Sequence, residues 1–187
     1  MYVKQRISGI FKTTDLGTCT HFIGMKIEHL PDGLFLSQRP FAEKIIELAG
    51  MKNAKSIKSP LPLSHPLYKE KTTPTKDEID AMTGIPYREV LGSLLFLATR
   101  TRPDLATAVS MLGKFQQAPK VEHWKSMKSV IRYLIQTIDH GLLLPRDQEA
   151  LLEAWSDADW ARDHHKRRSR SGYLVTVGGG PVVGSKH

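Results

Sequence analysis

From residue 20 to residue 37 apolar and polar positions alternate. Ile23, Met25 and Ile27 interleave with Gly24, Lys26 and Glu28, the period of a half-buried strand. Pro31, Asp32 and Gly33 supply turn chemistry, and Leu34 and Leu36 then resume the alternation, so the stretch predicts a β-hairpin. The period changes at "PFAEKIIELAG". Pro40 suits a first helical turn, Phe41, Ile45 and Leu48 share a face, and Gly50 suits the stop.

Three further stretches keep the three-four spacing of amphipathic helices. The first spans Tyr87 to Thr99, with Leu91, Leu94, Leu95 and Ala98 on one face. The second starts near Pro103, with Leu105, Val109, Leu112 and Phe115 as its stripe. The third starts near Pro119, with Trp124, Met127, Ile131, Leu134 and Ile138. The links "RTRPD" and "QQAPK" are short, as expected for neighbours in a bundle. Residues 51–84 read as a spacer rich in Lys, Ser, Thr and Pro. Within it Thr75 and Glu78 match a capping box for one short helix. Beyond a boundary near Arg146 to Glu149, "LLEAWSDADWA", "SGYLVTVGG" and "PVVGS" read as successive strands, with "VGGGP" as a hairpin turn. Three strands with nothing to cover them are an incomplete domain.

Composition adds little to this α+β picture until charge is counted. With 40% apolar and 25% charged residues, 187 residues can bury a core. The net charge is +8 and the pI about 9.6, which favours a polyanionic partner, most often nucleic acid, over a merely solvated basic surface. Cys19 is the sole cysteine, so no internal disulfide or cysteine-based zinc site can form; it reads as a buried, inert thiol of an intracellular protein. The run Val90 to Ala98 is too short to span a bilayer, and no membrane partner is expected. The start "MYVKQRISGIFK" lacks the apolar core of a secretory signal.

Two places could carry chemistry. In the third helix Lys125, Lys128 and Arg132 share a face about 100° round from the apolar stripe. Such a stripe can follow a phosphate backbone, or can be a solvated face with no ligand. In the strand "EAWSDADW", Asp157 and Asp159 fall on one side because side chains alternate. Paired carboxylates at a strand end can hold magnesium; the plainer alternative is a strand edge whose acids pair with Arg162, Lys166 or Arg167. Adjacent His164 and His165 point different ways and read as loop residues. His21, His29, His65, His123, His140 and His187 form no ligand spacing. There is no nucleophile elbow and no phosphate-binding or dinucleotide-binding glycine loop.

Taken in order, these blocks resemble the Pol polyprotein of copia-type LTR retrotransposons, at the end of the reverse transcriptase and the start of RNase H. "FKTTDLGTCTHFIGMKI" is similar to the family's F-x-M-x-D-L-G followed by F-L-G. "GLFLSQRPFAEKIIELAGM" is similar to G-I-x-L-S-Q-x-x-Y with its helix and G-M. "YREVLGSLLFLATRTRPDLATAVSMLGKF" resembles Y-R-x-x-V-G-S-L-x-Y-L-x-x-T-R-P-D-I, and "HWKSMKSVIRYLIQTIDHGLLL" resembles H-W-x-A-x-K-R-I-L-R-Y-L-x-G-T-x-x-x-G-L. "SDADWARDHHKRRSRSGY" looks like D-A-D-W-A followed by R-R-S-T-S-G-Y.

The resemblance implies four parts: residues 1–50 as the end of the palm with its primer-grip hairpin and helix, 51–84 as spacer, 85–146 as a thumb-like helical bundle, and 150–187 as the first strands of an incomplete RNase H-like sheet. It implies nucleic-acid contacts, to an RNA–DNA hybrid or a template–primer duplex, at His21, Phe22, Gly24 and Lys26 of the hairpin. Lys125, Lys128 and Arg132, with the cluster Arg167, Arg168 and Arg170, would contact phosphates. Asp157 matches the first catalytic aspartate of RNase H and would be a magnesium ligand once its site were completed; Asp159 matches a residue outside the metal site.

Departures limit the inheritance. No tyrosine begins a Y-x-D-D motif, and after Asp163 the chain contains no Asp or Glu. Arg170 replaces the usual Thr of R-R-S-T-S-G-Y. A lone carboxylate cannot hold two metal ions. The expectation is a polyprotein fragment that is catalytically inactive alone, binds no cofactor by itself, and works with the remaining polyprotein segments. The alternative is a non-enzymatic nucleic-acid binder that retains template–primer affinity. Cytoplasm and nucleus stay open as its location.

Overall fold

In the computed structural model, residues 2–61, 75–146, 152–159 and 170–186 are described. The protein is α+β. Helices α1 (Tyr2–Ile10), α2 (Arg39–Leu48), α3 (Lys76–Asp80), α4 (Tyr87–Arg100), α5 (Ala106–Gly113) and α6 (Val121–Gln136) accompany two antiparallel sheets. The first sheet has the order β1 (His21–Phe22), β2 (Met25–Leu30), β3 (Gly33–Ser37), β4 (Leu142–Pro145). The second has the order β5 (Leu152–Asp159), β6 (Arg170–Val177), β7 (Gly180–Lys186).

The helical stripes meet in one core. Ile45 of α2, Val90, Leu94 and Leu97 of α4, Val109 and Leu112 of α5, and Met127, Ile131 and Leu134 of α6 are all buried in it. Two expected faces are rotated. On α2 the buried residues are Ala42, Ile45 and Ile46, while Leu48 is exposed and Phe41 packs half-buried against the core, meeting Phe96 edge-on with ring centroids 5.3 Å apart. On α4 Leu97 takes the core position expected of Leu95, which is 51% exposed. α2 therefore shares the core of the three-helix bundle.

The ends of the helices show why each starts and stops where it does. Pro40 sits in the first turn of α2, and Gly50, at φ +67°, follows its end. Thr75 and Glu78 form the reciprocal capping box: the Glu78 N–H donates to Thr75 Oγ1 and the Thr75 N–H to Glu78 Oε2. At α6 a histidine takes the glutamate's part, since the Lys120 N–H donates to Nδ1 of buried His123, stacked on Phe115.

Arg102 closes the bundle. It is 3% exposed, and its guanidinium donates through Nε and Nη2 to Asp104 and through Nη1 to the Thr137 carbonyl just past α6. One side chain thus ties the link after α4 to the end of α6. Burial opposes ionisation of Asp104, but the hydrogen bonds and charge of Arg102 outweigh it and hold the carboxyl below its ordinary value.

β4 returns the chain to the first sheet, from the end of the helical bundle to the edge of the hairpin. Two glycines permit that closeness. A Cβ on Gly33 would lie 2.3 Å from the Leu144 carbonyl oxygen, and one on Gly141 2.3 Å from that of Leu36. In the second sheet Gly178 and Gly179 both have positive φ and join β6 to β7, the expected hairpin turn. Leu152, Trp155, Tyr173, Leu174, Val177 and Val182 of this sheet are all 40% or more exposed. Cys19 corrects an expectation: it is exposed, because the surrounding segment from Phe11 to Thr20 lies wholly on the surface.

Candidate nucleic-acid interface

The hairpin expected from alternation is interrupted at its start. Ile23 does not continue the strand of Met25 and Ile27; it forms, with Gly24, a two-residue turn between β1 and β2. Both turn residues have positive φ, +47° for Ile23 and +74° for Gly24, the pattern of a type I′ turn. Gly24 suits that region; a β-branched residue does not, and the left-handed conformation costs Ile23 about 1–2 kcal/mol. The cost is not offset by burial, since Phe22 and Ile23 are each 55% exposed. The turn stands on α4, where a Cβ added to Gly24 would lie 3.7 Å from the Phe96 ring, and Arg100 lies over that ring at 5.7 Å. The tip thus presents two apolar side chains to solvent above an aromatic base.

His21 and Lys26 pair across β1 and β2. The His21 ring meets Thr20 Oγ1 through Nδ1, and Lys26 Nζ is 2.8 Å from Glu28 Oε1. Of the four hairpin residues expected to meet nucleic acid, Phe22 stands at the exposed tip, Gly24 forms the turn itself, and His21 and Lys26 flank them.

The second group lies on α6. Lys125 is exposed, with Glu122 Oε1 at 3.7 Å, and Lys128 is half-buried. Arg132 is drawn elsewhere, its Nε donating to the Lys55 carbonyl. Neither that contact nor the strain at Ile23 was read from the sequence. The first depends on a loop lying along a helix far away in the chain, and Ile-Gly is not among the dipeptides that signal a tight hairpin turn, so Ile23 reads as a strand residue.

The third group is scattered. Asp157 sits on β5, exposed, opposite Gly172 on β6. Arg170 is the first residue of β6, in register with Asp159. Arg167 and Arg168 lie outside the described residues, as do His164 and His165. Magnesium takes several oxygen ligands. Among the described residues no three or more His, Cys, Asp or Glu side chains gather to hold an ion. No described helix is long and apolar enough to cross a membrane.

Sequence comparison finds similarity to polyproteins of mobile elements. The chain is 36% identical over 182 residues to the retrovirus-related Pol polyprotein from transposon TNT 1-94 of Nicotiana tabacum, covering 96% of the chain. It is 37% identical over 162 residues, 87% of the chain, to that from transposon RE2 of Arabidopsis thaliana. It spans 14% and 11% of the length of these two polyproteins. An uncharacterized mitochondrial protein of Arabidopsis thaliana is 35% identical over 173 residues, 92% of the chain and 69% of that protein. No protein-family model matches the chain, and no solved structure does.

Proposed function

The chain belongs to the retrovirus-related Pol polyproteins of transposons, and from that premise we propose that it is the copia-type segment joining the end of a reverse transcriptase to the start of an RNase H domain. In this reading β1 to β3 are a primer-grip hairpin, α4 to α6 a thumb-like bundle, and β5 to β7 the first strands of an RNase H-like sheet. The activity proposed for the chain itself is binding of a template–primer or RNA–DNA duplex, without polymerisation or cleavage.

The observation that carries this reading is the tip at Phe22, Ile23 and Gly24. A strained, exposed, β-branched residue beside an exposed phenylalanine gains nothing for folding, and such strain collects at binding sites. Held on Phe96 of α4, the tip has a rigid base from which to meet the end of a duplex. The net charge of +8 supplies attraction to phosphate. Catalysis is another matter. Asp157 is one carboxylate of a set that needs several, and among the described residues no three His, Cys, Asp or Glu side chains gather.

The test is a gel-shift titration with an RNA–DNA hybrid and with a primed template, in magnesium and nucleotides, the strands then being sized. The reading expects a shifted duplex with both strands unchanged in length. Primer extension or cleavage above that of a heat-treated sample would refute the absence of catalysis, and no shift at low salt would refute the binding.

A further inference from the structure

The segment from Lys55 to Ile57, inside what the sequence reads as a spacer, is fastened along the last turns of α6. Arg132 Nε donates to the Lys55 carbonyl at 2.5 Å, the Ile57 N–H donates to the Arg132 carbonyl at 3.3 Å, and Ser56 Oγ donates to Gln136 Oε1 at 2.6 Å. Ala54 before it and Leu61 after it pack against the core, so the segment is anchored at both ends.

This seating changes the charge of the α6 face. From Met51 to Pro60 there are three lysines and no acid; from Lys125 to Gln136 there are two lysines, one arginine and no acid. Lys52 is taken by Glu47, and Lys125 has Glu122 at 3.7 Å. Among the described residues no carboxylate pairs with Lys55, Lys58 or Lys128, and Lys55 and Lys58 are exposed. Like charges gathered without acids oppose folding, so the arrangement points to a polyanion that neutralises them. Lys125 to Arg132 spans about 10 Å of helix rise. One strand of a duplex presents about three phosphates over that length.

We propose that Lys55 and Lys58 form, with Lys125 and Lys128, one surface for the sugar–phosphate backbone of a nucleic-acid duplex, and that Arg132, Ser56 and Gln136 are positioning residues that seat the segment there. The proposal rests on the duplex-binding reading above and adds to it a surface the sequence assigned to a linker. It also reassigns Arg132 from phosphate contact to placement of Lys55.

Fluorescence anisotropy with an end-labelled RNA–DNA hybrid, at stepped salt concentrations, tests it in three proteins: the parent, K55A/K58A, and S56A/Q136A, which removes the side-chain bond of the clip, leaving the two Arg132 bonds, without removing charge. Each phosphate contact contributes about 0.9 to the slope of log affinity against log salt. K55A/K58A should therefore lose about 1.8 of that slope and bind tens of times more weakly near 0.1 M salt, with a melting temperature no lower than the parent's. S56A/Q136A should lose part of the slope at constant net charge. A parental slope in K55A/K58A, with the parent binding steeply, overturns this inference and leaves duplex binding standing. A parent that does not bind overturns both. Preference for polyglutamate over the hybrid would assign the surface to an acidic protein and overturn the inference as well.

Discussion

Replacing Arg102 by methionine is the severest test of how the helical bundle is held. The guanidinium is 3% exposed and makes bonds to two oxygens of Asp104 and to the Thr137 carbonyl. Methionine fills much of the same volume, so little cavity results. What remains is a partly buried carboxylate stripped of its cation and a carbonyl at the end of α6 with one partner fewer. Breaking one side of a buried pair costs about 3–5 kcal/mol. Total stability of a domain is about 5–15 kcal/mol, so R102M should lower the urea midpoint sharply or leave the bundle only marginally folded. The double variant R102M/D104L removes the stranded charge and should recover most of the loss. Urea denaturation followed by circular dichroism reads both. A loss under about 1 kcal/mol for R102M would mean that the ion pair is only a surface pair in effect, and the reasoning would fail.

Ile23→Asn should raise the melting temperature, by about 1 kcal/mol of stability, since asparagine accepts positive φ and Ile23 is more than half exposed; a lowered melting temperature would show that its side chain is needed for folding. Gly33→Ala should unpair β4 from β3, because the new methyl would meet a backbone oxygen at 2.3 Å; rapid amide exchange across residues 142–145 is the readout, and parental protection would contradict it. Asp104 has a depressed folded-state pKa, so its stabilisation is present above the ordinary aspartate value of 3.8 and is lost as the pH falls through the lowered folded value. D104N should flatten that part of the acid limb, measured as urea midpoint against pH, and an unchanged limb would place the effect elsewhere.

How much of this was written plainly in the chain varies with the range of the interaction. Hydrophobic spacing located α2, α4, α5 and α6, and turn chemistry located both hairpins, because these signals are local. The buried faces were read only in part: Ile46 and Leu97 are buried, whereas Leu48 and Leu95, expected on those faces, are exposed. β4 could not be foreseen: "LLLP" has no alternation, and it becomes a strand only because Gly33 and Gly141 let it approach β3. The hairpin residues of the candidate interface were legible as a motif, but Ile23 read as a strand residue and its left-handed turn was missed. Lys55 and Lys58 were hidden, since the bonds that seat them join residues 77 and 80 positions apart.

The function proposed for the chain is to grip duplex phosphates without transforming them. The measurement is anisotropy of an end-labelled RNA–DNA hybrid, titrated with the protein in magnesium across salt, with each sample then run on a denaturing gel. With about six phosphate contacts, log affinity should fall against log salt with a slope of roughly −5, and the strands should keep their length. A flat salt response, or strands shortened beyond a heat-treated control, would contradict it.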